Sequence, residues 1–161
     1  MVGFGLFVLR LAIAVVFLAH GGNKLFGLFG GPGIGAGGLS VTAAFFGQIG
    51  LHPPFLFALL DALVEVIGGA LLVIGFLTRW ASIALSIAMA VAIWKVHFQW
   101  GFFLNWMSAP DRGQGMEFSI VLIAALVCLA FAGAGDLSID GVNARSADRD
   151  AAGRARLRNR L

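Results

Sequence analysis

Four apolar stretches, each near the length that crosses hydrocarbon, take up most of this chain. They run from about Phe4 to His20, Pro54 to Leu77, Arg79 to Trp100 and Met116 to Ala134. A spanning helix uses roughly 20 apolar residues. Of the 161 residues, 60% are hydrophobic and 12% charged, with a mean hydropathy of +0.94. So few charges do not keep a soluble domain of this size in solution. The chain therefore reads as all-α, a polytopic membrane four-helix bundle over residues 1–140, followed by a basic, disordered tail over 141–161. The first stretch has no positive n-region and is interrupted by Arg10, so it reads as a retained helix rather than a signal peptide.

The connections set neighbours and orientation. Leu77-Thr78-Arg79-Trp80 is too short for anything but an antiparallel pair. The net charge of +3 is concentrated late: Arg145, Arg149, Arg154, Arg156, Arg158 and Arg160 all follow Gly141. Together with Arg79 they mark one side as cytoplasmic, which places both termini inside. The tail then faces anionic lipid. No stacking aromatics interleave its arginines, which argues against nucleic acid. Two longer loops, Gly21 to Pro53 and Gly101 to Gly115, face outward. The first contains the glycine-dense run Gly27–Gly38, which lacks the Gly-Lys-Ser/Thr of a phosphate loop. Leu39–Gly50 follows as a short interfacial helix capped by Ser40 and stopped by Gly50.

Ionisable groups in hydrocarbon are costly and normally face inward in pairs. Arg10, Asp61, Glu65, Lys95 and His97 lie within the apolar stretches; His20 and Glu117 lie at their ends. Counting about 1.5 Å per residue puts Arg10 and Glu65 at similar depth, roughly 15 Å from the outer ends of their helices. They are the expected structural ion pair. Asp61 lies one turn from Glu65 on the same face, and Lys95 lies at comparable depth. With His20, Lys24, His97, Glu117 and Trp100 near the outer surface, these residues form an expected polar column. Phe98, Phe102, Phe103 and Phe118 surround its mouth, as in a ligand site. The blander readings stay open. Arg10–Glu65 can be a packing staple, Lys24 can sit in headgroups, and His20 and His97 can bond loop carbonyls. His20, His97 and Glu117 have suitable ligand chemistry for a metal but no supporting spacing, so no metal site is expected. Cys128 reads as a buried packing residue, and a lone cysteine forms no internal disulfide.

Several motifs carry a family resemblance. Leu9-Arg10-Leu11 is followed by Ala19-His20-Gly21-Gly22-Asn23-Lys24-Leu25-Phe26-Gly27, then Thr42-Ala43-Ala44-Phe45-Phe46 and Gly50-Leu51-His52-Pro53-Pro54. Next come Glu65-Val66-Ile67-Gly68-Gly69, Leu77-Thr78-Arg79, Val96-His97 with Gly101-Phe102-Phe103, and Met116-Glu117-Phe118. In this order they resemble the DoxX family of bacterial inner-membrane proteins, over roughly residues 4 to 140. Phe118 stands where the family often has tyrosine and Trp100 where it often has a small polar residue; the tail after Asp140 has no counterpart. The resemblance implies four helices in the bacterial inner membrane. Some relatives of the DoxD type look like membrane subunits of thiosulfate:quinone oxidoreductase. Others look like partners of thiol-stress and superoxide enzymes, or occur with copper- and catechol-related proteins.

Three functions follow as expectations. In the first, the chain is a subunit or accessory of a quinone-linked oxidoreductase system. His20, His97 and Glu65 then move protons, and Lys24, Asp61, Lys95, Glu117 and Trp100 bind a quinone or small reductant. No cofactor is covalently bound, and electrons come from the quinone or a partner. In the second, it is a non-catalytic subunit stabilising a larger complex or a homo-oligomer. In the third, it is a small-molecule carrier, for which four helices without a visible repeat leave little room.

Overall fold

A computed structural model describes residues 2–29 and 37–158, apart from the side chains of residues 148, 153 and 155–158. Most of the glycine-dense run (residues 30–36) and Arg160 lie outside the described residues. All regular structure among the described residues is helical. The helices are α1 (Val2–Phe26), α2 (Leu39–Gln48), α3 (Pro54–Ile74), α4 (Thr78–Ala92), α5 (Glu117–Ala132) and α6 (Ile139–Arg158). Beyond Ala92, α4 continues through a π-helical turn, Ile93–His97, and a 3₁₀ turn, Phe98–Trp100. Three helices are long and apolar enough to cross a membrane: Val2–Phe26, Pro54–Ile74 and Thr78–Trp100. The apolar α5, at 16 residues, is shorter.

Burial follows helical spacing. Arg10, Ile13, Ala14, Phe17 and Gly21 form the buried stripe of α1, and Ser119, Leu122, Leu126 and Leu129 that of α5. These stripes meet Leu72 of α3 and Ala81, Leu85 and Met89 of α4 in one core. α3 lies between α1 and α4, and α4 between α3 and α5. Adjacent glycines let α3 approach both neighbours. A Cβ on Gly68 would come within 2.9 Å of Leu85 Cγ, and one on Gly69 within 2.9 Å of Leu18 Cγ. Small residues at such crossings allow close packing in hydrocarbon, where no hydrophobic drive holds helices together. The outward faces remain apolar, with Val15, Ile87, Val121 and Phe131 well exposed. An exterior of this kind suits lipid rather than water.

The helix ends have local causes. Pro54 opens α3 at a position where its missing N–H costs nothing. Gly75 closes it in the left-handed region at φ 67°, with its N–H donating to Leu71 O. The α3–α4 turn is held from afar: the backbone N–H groups of Leu77 and Thr78 each donate to the Asp140 carboxylate at 3.0 Å. Asp140 N–H in turn donates to Gly75 O. These bonds tie the start of the C-terminal segment to the α3–α4 turn. The tail expected to be disordered is helical over Ile139–Arg158, with Ser138 Oγ accepting the Gly141 N–H at its start. In α2 the expected cap Ser40 lies inside the helix; Gly38, at φ 69°, precedes it without a side-chain cap. Cys128 is exposed rather than buried, because it falls off the α5 stripe of Leu122, Leu126 and Leu129.

Candidate functional site

The ionic core is not the expected one. α1 runs on past His20 for a further turn and a half to Phe26, and Gly21 lies inside it against Glu65 and Val66. Lys24, one turn beyond Gly21, is thereby carried onto the two carboxylates of α3. Its Nζ lies 2.5 Å from Asp61 Oδ2 and 2.9 Å from Glu65 Oε1. The expected Arg10–Glu65 pair does not form. Arg10 donates instead to Leu72 O at 3.0 Å and Leu137 O at 2.7 Å. The register explains this. With Gly21 opposite Glu65 in an antiparallel pair, Arg10 falls opposite Gly75, ten residues or about 15 Å further along α3. Placing the helix end at His20 made the two depths look equal. Arg10, wholly buried, satisfies the carbonyls where α3 ends and α6 approaches.

A cavity of about 1040 Å³ opens beside the triad. Lys24, Asp61 and Glu65 line it, as do His20, Lys95 and His97. Phe45 and Phe46 of α2, Phe57 of α3, Trp94 and Phe118 supply aromatic wall. α2 is tied to the end of α1 by Thr42, whose hydroxyl donates to Lys24 O at 3.4 Å. Lys95 and His97 ride on the π-helical turn, which departs from the α pitch. Such turns are rare and frequent at functional sites. Lys95 Nζ lies 4.3 Å from the Trp94 ring centroid, a cation–π contact. It has no carboxylate within salt-bridge distance among the described residues.

The two histidines do what the blander reading allowed. His20 Nδ1 donates to Val16 O at 2.8 Å, and His97 Nδ1 to Gln114 O at 2.9 Å. A carbonyl only accepts, so the neutral rings carry their proton on Nδ1 and keep Nε2 as acceptor. Two other expected ligand residues lie off the cavity wall. Glu117 accepts from Leu104 N–H at 2.7 Å and Trp106 Nε1 at 3.1 Å. Trp100 packs over Gly113, with its carbonyl accepting from Arg112. Both organise the 101–116 loop, which closes through Met116 N–H to Gly101 O and Glu117 N–H to Phe102 O. Of the mouth phenylalanines, Phe118 lines the cavity and Phe98, Phe102 and Phe103 do not. Among the described residues no three His, Cys, Asp or Glu side chains converge as metal ligands.

Sequence reasoning missed Lys24 as the ionic partner and Asp140 as a cap. Gly21-Gly22 read as a helix end, whereas these glycines make room for α3. Ser138, three residues before Gly141, was a readable cap signal for a helix there.

The comparisons agree on one family. The family model described as DoxX matches residues 5–98. The chain is 30% identical over 136 residues to the Bacillus subtilis protein named "Putative oxidoreductase CatD", covering 84% of each chain. It is also 30% identical over 136 residues to "Uncharacterized membrane protein Rv3486" of Mycobacterium tuberculosis, covering 82% of this chain and 77% of that one. No solved structure gives a significant match.

Proposed function

This chain belongs to the DoxX family and is a multi-pass membrane protein, and on that premise we propose that it is a subunit or accessory of a quinone-linked oxidoreductase system. One observation carries the reading: a half-buried ammonium between two carboxylates, set in an aromatic-walled cavity large enough for a quinone head. Ionisable groups inside a membrane are expensive and mark functional sites by default. The oxidoreductase in the name of the Bacillus subtilis relative supports the same class.

In this reading α1, α3, α4 and α5 span the bacterial inner membrane as a four-helix bundle. Arg79, Arg145 and Arg149 face the cytoplasm, both termini are inside, and the cavity opens at the outer face. The aromatic side chains hold the ring and exclude water from it. Lys24 fixes Asp61 and Glu65 and offsets one of their two charges, and Lys95 on the same wall matches the other. Lys95 lies within the same cavity to receive a ligand oxygen. His20 and His97, each presenting Nε2 as an acceptor, exchange protons with the outer side. A bound quinone supplies the electron capacity, and a partner protein in the membrane complex supplies the other half of the reaction.

The test is direct. Lipid extracted from the purified protein is examined by chromatography for quinone, and a short-chain quinone is titrated in detergent. At 100 times its dissociation constant a true ligand stabilises the fold by about 2.7 kcal/mol. Lys24→Met removes that stabilisation. Absence of both co-purified quinone and ligand stabilisation sinks the reading. A second reading, a non-catalytic subunit, is favoured by the apolar groove between α4 and α5, lined by Ile87, Ile123, Val127 and Phe131. Its mark is a stoichiometric membrane partner whose retention is indifferent to Lys24→Met.

A further inference from the structure

The Glu65 carboxylate is only half used. Oε1 accepts from Lys24 at 2.9 Å, and the side chain is 6% exposed. Oε2 has no hydrogen-bond partner among the described residues. This orphaned acceptor belongs to a side chain on the cavity wall. Native proteins seldom leave a buried polar atom unmatched, because its desolvation is uncompensated.

The surrounding charge says what can match it. Lys24 and Lys95 match Asp61 and Glu65 in formal charge along the cavity wall. A cationic ligand would upset that balance, and a carboxylate oxygen has nothing to donate. The complement is therefore a neutral hydrogen-bond donor on an apolar body. The rings of Phe45, Phe46, Phe57, Trp94 and Phe118 favour a flat aromatic body.

We propose that the cavity selects hydroxyl-bearing aromatic ligands of the phenol class, whose O–H donates to Glu65 Oε2. The inference rests on the reading of this cavity as a ligand site and refines it. A quinone offers only carbonyl acceptors to Glu65, whereas its reduced form offers a hydroxyl, so the reduced form is held more tightly here than the oxidised one.

Para-pentylphenol and para-pentylanisole are matched probes that differ in the donor hydrogen. Titration calorimetry on the full chain in detergent is expected to show the phenol binding about tenfold tighter, the order carried by one hydrogen bond to a charged acceptor. In Glu65→Gln the ratio falls to about fivefold or less, the central value for a neutral hydrogen bond. Glu117→Gln, a carboxylate off the cavity wall, leaves it at about tenfold. Equal affinities in the unaltered protein, binding of neither probe, or a ratio that survives Glu65→Gln overturns the proposal. If Glu65→Gln does not fold, infrared difference spectra of the unaltered protein decide: the phenol shifts a carboxylate stretch that the anisole leaves in place, and no such difference overturns it. The two readings fail separately. Selection of phenol without any binding of a short-chain quinone or quinol sinks the quinone assignment alone. Quinone binding with phenol and anisole equal sinks the hydroxyl assignment alone.

Discussion

At the residue scale the decisive fact is which cation meets Glu65. A buried ion pair contributes little over an apolar substitute, but breaking one strands a charge, at a cost of about 3–5 kcal/mol when fully buried. Lys24 is 19% exposed in its side chain, so Lys24→Met is expected to cost on the order of 3 kcal/mol in a reversible unfolding measurement. A double-mutant cycle separates the two candidate partners. Lys24→Met and Glu65→Gln should couple by about 1 kcal/mol or more, while Arg10→Met and Glu65→Gln should add within about 0.5 kcal/mol. Coupling between Arg10 and Glu65 instead would restore the pair expected from the sequence. The residue types of the site were legible: His20, Lys24, Asp61, Glu65, Lys95 and His97 stand out because charge in an apolar run is rare. Their partners were not, because axial depth depends on where α1 ends, and Gly21 can either stop a helix or pack one.

At the element scale, two features hold the helices in place. The Asp140 carboxylate caps the first turn of α4 from another helix. Asp140→Ala is expected to lower stability by about 1 kcal/mol, the usual value of a lost cap. Asp140→Asn should fall between that variant and the unaltered protein, since its amide oxygen accepts one N–H while its NH2 faces the other. Denaturant titration of the two variants side by side checks both. The second feature is the glycine pair in α3. A Cβ on Gly69 meets the Ala14 carbonyl at 3.2 Å as well as Leu18, and backbone does not yield as a side chain does. Gly69→Val is expected to cost about 1–3 kcal/mol by overpacking, seen as a lower melting temperature. Element existence was readable here because hydropathy and length decide it. The continuation of α1 to Phe26 and the π-helical turn at Ile93–His97 were not, because both are set by contacts with α3, α2 and the 101–116 loop rather than by local pattern.

At the scale of the whole molecule, the two ends of the structure differ in kind. One end carries the cavity, α2 and the 101–116 loop. The other carries Arg10, the α3–α4 turn and the start of α6, with Arg79 and Arg145 exposed beside them. With Cys128 replaced by Ser, single cysteines at Asp111 and at Asp150 should label from opposite sides of an intact membrane with an impermeant thiol reagent. Asp111 is expected to react from outside and Asp150 from the cytoplasm. Labelling of both from one side would refute the proposed arrangement, and with it the outward-facing cavity.

The sequence by itself determined that the chain is helical and membrane-bound, and which ionisable residues lie within its apolar stretches. Those properties follow from transfer free energy, which each residue carries wherever it sits. Only the tertiary structure decided that Lys24 rather than Arg10 neutralises Glu65, that Glu117 and Trp100 organise a loop, and that the basic tail begins as a docked helix. Helices that are apolar nearly all round do not announce their inner faces, so packing had to choose them, and pairing followed from that choice.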